Sequence, residues 1–190
     1  ALHEQTAGNP FFVREIVRLL AAEGELHDAE DRTTWGSTMP HSVRETLRRR
    51  LARLSEACLR LLTSAAVIGR EFSLSFLVQI DGEKTDSAST DVLRCVQEAL
   101  MARVITEVPG STEHYRFNHA LVPGTLYEEI PLTGRIRLHR QVGETIERLQ
   151  ALHLEPHLAE LADHFLKAAP GGDRDKALQY AIKAGQRALK

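Results

Sequence analysis

Chemistry in this chain would have to start from nine histidines and two cysteines. His119 stands in Phe117-Asn118-His119-Ala120-Leu121, between a β-rich run and an apolar helical one. At a helix N-terminus the unpaired backbone amides favour anions, so an imidazole there could help meet a phosphate. In the same place it could be a polar residue that satisfies the helix start. Spacing leaves both open. His153 and His157 are four apart, a metal-ligand spacing on a helix, but the intervening Pro156 works against a shared helical face. Cys58 and Cys95 sit among apolar helical neighbours, so buried thiols are preferred over a disulfide or a catalytic pair. Gly8-Asn9-Pro10 turns the chain into a helix, with Pro10 where a helix loses no hydrogen bond. That turn could be only a turn, or it could lie against something flat.

Several chemistries lack their residues. There is no Gly-x-x-x-x-Gly-Lys-Ser/Thr phosphate loop and no Gly-x-Ser-x-Gly nucleophile elbow. His3-Glu4 is followed by Gln5, Thr6 and Ala7, which is not a metalloprotease motif. No metal site and no acid–base pair can be assembled, so the chain is expected to be non-catalytic by itself.

The elements that must position these residues follow from composition and period. With 190 residues, 43% of them hydrophobic, the chain can fill one moderate core or two small ones. A net charge of −2 gives no general reason to expect nucleic acid or an anionic membrane as partner. No apolar run approaches the roughly 20 residues of a membrane span, and the start is not a signal peptide. A cytoplasmic protein is the default, and a start in mid-element suggests a piece of something longer.

A helix after Pro10 ends near Glu23, and a polar stretch follows from Glu25 to Pro40. Ser42-Val43-Arg44-Glu45 is a capping box, and Val43, Leu47, Leu51 and Leu54 continue as the apolar face of a helix. A second helix spans Ser55 to Ile68 and Gly69 stops it; Phe72 to Ile80 reads as one or two helical turns. Asp81 to Thr90 reads as a loop and Asp91 to Ala102 as a helix. Val104–Val108 and Tyr115–Phe117 flank Pro109-Gly110-Ser111, which is a hairpin. Asn118 to Ile130 looks helical but interrupted by Pro123-Gly124. A long helix carries Leu138, Val142, Ile146 and Leu149. Two more carry Leu158, Leu161, Ala162, Phe165 and Leu166, then Ala177, Tyr180, Ala181, Ala184 and Ala188.

The expected fold is therefore mainly α with one β-hairpin. Residues 1–37 would be a helical lid and linker, 38–132 a winged-helix domain, and 133–190 the start of a tetratricopeptide-like helical array. A winged helix raises DNA binding, but the helix from Asp91 to Arg103 balances Asp91 and Glu98 against Arg94 and Arg103. The Arg-rich stretch from Arg44 to Arg53 is more basic, and a solvated face is its preferred reading.

Four stretches in order, GNPFFVREIVRLL, MPHSVRETLRRRLARLS, AAVIGREFSLSFL and YRFNHALVPGTLYEEI, resemble the part of STAND signal-transduction NTPases that follows the ATPase core. More narrowly, they are similar to bacterial regulators with an AAA-type ATPase module followed by helical repeats. Large LuxR-type transcription regulators and ATPase-linked adenylate cyclases are among these. The resemblance implies that Gly8 and Pro10 belong to a lid behind the nucleotide, with Pro10 near the adenine. It implies that His119 takes the place of the His in a Met-His-Asp motif that contacts the ADP phosphate. Ala120 replaces the Asp of that motif, and Pro123 stands where closer bacterial relatives often have Arg, so the local helix is expected to be broken. ATP or ADP is implied for a longer parent, with no cofactor in this segment. The implied partners are an upstream ATPase core, downstream helical repeats and self-assembly; DNA and membrane are not expected for this segment.

Overall fold

The computed structural model describes residues 47–81 and 88–189. The first described residues, 47–51, are helical, and Leu47, Leu51 and Leu54 turn inward as their spacing requires. The capping box at Ser42 lies outside the described residues. Helix α1 spans Glu56–Ile68 and is capped by Ser55, whose side chain accepts from the Cys58 amide. It ends at Gly69, where φ is 146°, a conformation that only glycine adopts without strain.

Strand β1 (Glu71–Ser73) comes next and leads directly into α2 (Leu74–Asp81). Ser73 Oγ accepts from the Phe76 amide and so opens that helix. Helix α3 (Ala88–Met101) is followed by β2 (Ile105–Glu107) and β3 (His114–Phe117). The sheet order is β1-β3-β2, antiparallel throughout, with Phe72 opposite Tyr115 and Ile105 opposite Phe117.

The expectation of one hairpin is thus corrected to three strands. The run from Phe72 to Ile80 was expected to be helical from its start, yet its first two residues belong to β1. A three-residue strand has no period to read, and its partner lies about forty positions away. The expected loop over Asp81 to Thr90 also yields, since α3 begins at Ala88.

Helix α4 spans Leu121–Glu128 and runs straight through Pro123-Gly124. The expected break is absent because Pro123 sits in the first turn, where backbone amides have no intrahelical acceptor. Helix α5 (Leu132–Leu149) is the long one. Turns at Glu155–His157 and Ala169–Gly171 bracket α6 (Leu158–Ala168), and α7 (Arg174–Ala188) follows. Among the described residues no helix is long and apolar enough to cross a membrane.

Two apolar cores result. The first lies beneath the sheet and joins Leu47, Leu62, Leu77, Val96, Phe117 and Leu126. The second joins Ile130, Val142, Ile146, Leu161, Phe165 and Tyr180 of the C-terminal helices, with Val67 and Ile80 bridging from α1 and α2. The packing face of α7 is narrower than expected. Ala177 and Tyr180 are buried and Ala184 is partly packed, but Ala181 and Ala188 face solvent. One aromatic ring does the work expected of an alanine stripe: Tyr180 stacks on Phe165 with centroids 5.6 Å apart.

Candidate functional site

His119 is placed where its neighbours predict, between the end of β3 and the start of α4. It is 7% exposed, and its carbonyl accepts from the Val122 amide at 3.1 Å. Gly8 and Pro10, the other two residues expected at a nucleotide, lie outside the described residues. Of the three, the structure describes His119.

The residue beside His119 has a clear structural task. Asn118 Nδ2 donates to the Arg103 carbonyl at 2.7 Å and to the Ile105 carbonyl at 3.3 Å, while its amide donates to the Val104 carbonyl. Arg103 is held at φ 54°, in the left-handed region that non-glycine residues rarely occupy. The Asn118 side chain thus fastens the tight turn from α3 into β2 and fixes the position of the next residue, His119. A side-chain amide flanking a hairpin was the available signal in the sequence.

Sequence reasoning missed the most unusual polar group. Tyr127 of α4, His139 of α5 and His164 of α6 form a chain: the Tyr127 hydroxyl is 2.9 Å from His139 Nε2, and His139 Nδ1 is 2.9 Å from His164 Nδ1. His139 is 1% exposed and His164 3%. Two ring nitrogens at that distance can share only one proton, so one Nδ1 donates and the other accepts. The rest of the chain is then determined: either Tyr127 donates to His139 or His139 Nε2 donates to Tyr127.

Burial pushes the His139 imidazole down to about 4, with the neighbouring His164 and the Lys167 and Arg135 cations acting the same way and Asp163 opposing them. Burial also lowers His164, against Glu160 and Asp163. Both rings are neutral near pH 7. The chain joins the end of the sheet-bearing unit to the helical pair behind it. Its members are 12 and 25 residues apart, on three different helices, so no motif in the sequence announces it.

The other candidates resolve simply. Cys58 and Cys95 are free and buried, and the Cys58 thiol donates to the Cys95 carbonyl at 3.3 Å. Burial, then Glu98, pushes Cys58 up to about 12, so it stays a thiol and is no nucleophile. His157 pairs with Glu160 at 3.0 Å, and His153 contacts the Leu152 carbonyl. Among the described residues no three metal-ligating side chains converge.

The basic surface is divided. Arg48, Arg49 and Arg53 are exposed, and Arg48 pairs with Glu129 at 3.2 Å. On α3, Arg94 pairs with Asp91 at 3.4 Å, and Glu98 accepts from both the amide and the hydroxyl of Ser55. Among the described residues, Arg48 and Arg94 are thus already paired with carboxylates and are not free for phosphate contacts. Comparison of the chain with protein-family models, with curated proteins and with solved structures returns no match.

Proposed function

We propose that this chain is a non-catalytic regulatory and interaction module of a larger signal-transduction NTPase of the STAND class, one that regulates transcription. In this reading 38–132 is a winged helix, 1–37 is the end of a helical lid, and 133–190 begins a tetratricopeptide-like array. The lid and winged helix clamp ADP against an upstream ATPase core, with Gly8 and Pro10 at the base and His119 at the phosphate. Exchange releases the helices behind, which then assemble or bind a partner. ATP and ADP belong to the parent, and its setting is the cytoplasm.

The observation that carries this reading is the succession after the hairpin. A three-stranded sheet packed on helices delivers His119 to the start of α4, and α4 is tied at once to a helical pair. Such an order suits a module that reports a nucleotide's state to repeats. The rival is a DNA-binding winged helix, and the internally paired charges on α3 count against it.

Calorimetry with ADP on two chains tests the proposal: this one, and the same chain extended upstream through the core. Tight binding confined to the longer chain is expected. Equal binding by both, or none by either, would defeat the clamp. Salt-dependent binding of this chain to duplex DNA would favour the rival instead.

A further inference from the structure

A cleft of about 840 Å³ lies between α1 and the start of α5. Its size is within the range of small-molecule sites. Leu59, Ile80, Ile130 and Leu138 give it an apolar wall. Three polar features open onto the same space.

The first is the N-terminus of α5. This 18-residue helix starts after Pro131 with no capping side chain and no acidic residue in its first turn. Thr133 and Gly134 of that turn line the cleft. Their amides belong to the group that has no acceptor within a helix, and they carry the positive end of its dipole. A Cβ at Gly134 would come within 2.9 Å of the Ile130 side chain, which would have to shift.

The second is Arg137, one turn further on. Arg135 beside it is already engaged, donating to the carbonyls of Ile130 and Glu128. Arg60, on the opposite wall, pairs with Glu56 at 2.7 Å. Arg137 is exposed on the cleft and makes no ion pair or hydrogen bond among the described residues. It is therefore the uncompensated charge of the site.

The third is independent of both. Ser64, in the middle of α1, is 5% exposed and lines the cleft. Its hydroxyl makes no hydrogen bond among the described residues, whereas Thr63 beside it donates back to the Leu59 carbonyl. Among the described residues, no polar side-chain atom sealed from solvent lacks a partner. The Ser64 hydroxyl is therefore not sealed, and the cleft is the space that Ser64 lines. A hydroxyl reached from that space exchanges water for a ligand atom at little cost.

We propose that this cleft binds a small oxyanion ligand, a phosphate or carboxylate carried on an apolar body. The anion is met by Arg137 and the first amides of α5. The body lies on the leucines and isoleucines, and Ser64 supplies one further hydrogen bond. The site is separate from His119 and stands or falls without the nucleotide-clamp reading.

Backbone amide NMR of this chain with phenyl phosphate, benzoate and inorganic phosphate tests it. Saturable shifts of Thr133 and Gly134 are expected with phenyl phosphate or benzoate; which of the two binds tells phosphate from carboxylate. Inorganic phosphate should bind at least about tenfold more weakly, having no apolar body. Arg137→Ala should weaken binding about tenfold, Ser64→Ala less, and the exposed Arg49→Ala not at all. No shift up to about 10 mM of any probe would overturn the proposal. So would inorganic phosphate binding as tightly as the larger probes, or affinity unchanged in Arg137→Ala.

Discussion

The two cores are buried to a similar degree but differ in kind. Beneath the sheet, Leu62, Phe117 and their neighbours meet mainly through hydrocarbon, with the Cys58 thiol donating to the Cys95 carbonyl among them. Behind it, the second core has the Tyr127–His139–His164 chain along its border with the first unit. The first core depends mainly on shape. The second depends also on protons, because its two imidazoles must stay neutral and share one hydrogen. The difference teaches that the sheet-bearing unit is built as a fixed platform, while its joint to the helical pair can respond to conditions.

Substitutions can break that contrast. The largest effect is expected from Phe117→Ala, which empties a fully buried ring position packed on Phe72 at 5.4 Å. A loss of about 3 to 5 kcal/mol in urea unfolding is expected, similar at pH 5 and pH 7. A strong pH dependence of that loss would mean the first core is not what it is taken to be.

The second core supplies the converse. His139 and His164 have lowered proton affinity when folded, so their contribution is complete above the unfolded value of about 6.5. As pH falls below that, the unfolded chain takes up protons first and stability drops, until His139 itself protonates near 4. A total loss on the order of 2 to 3 kcal/mol between pH 6.5 and pH 4 is expected from unfolding curves. The double variant His139→Leu/His164→Leu should flatten that slope. An unchanged slope would show that other groups cause it.

Much of the platform was legible in advance, and the joint was not. The 4-and-3 spacing of Leu47, Leu51 and Leu54 reports one face of one element, and all three are buried. Ser55 and Gly69 bracket α1 because caps are local chemistry. Strand β1 escaped notice because its three residues acquire meaning only against β3. Pro123 misled because a breaker's effect depends on its position within a helix, which required knowing that α4 starts at Leu121. Ala181 and Ala188 misled because small residues fit a packing face or solvent equally well. The histidine chain needed three helices to be in place before it existed. Of the candidate site, the sequence located His119 at its junction but could not say what it faces.

Two smaller tests sharpen the contrast. Gly143 lies under the Phe165 ring, and a Cβ there would meet ring carbons at 2.9 to 3.3 Å. Gly143→Ala should cost about 1 to 2 kcal/mol in denaturant and loosen the second core alone, read as faster hydrogen exchange in α5 and α6. Ser55→Ala should cost about 1 kcal/mol by removing the α1 cap and the hydroxyl bond to Glu98, while the backbone amide still donates to Glu98. Its effect should stay within α1 and α3.

The central claim is that His119 helps hold ADP in a longer chain. The direct measurement is the rate of ADP release from the chain extended through the core, with His119 intact and as His119→Ala. Faster release from the variant, with α4 still folded, is the predicted result. Equal release rates would contradict it and leave His119 as the polar start of a helix.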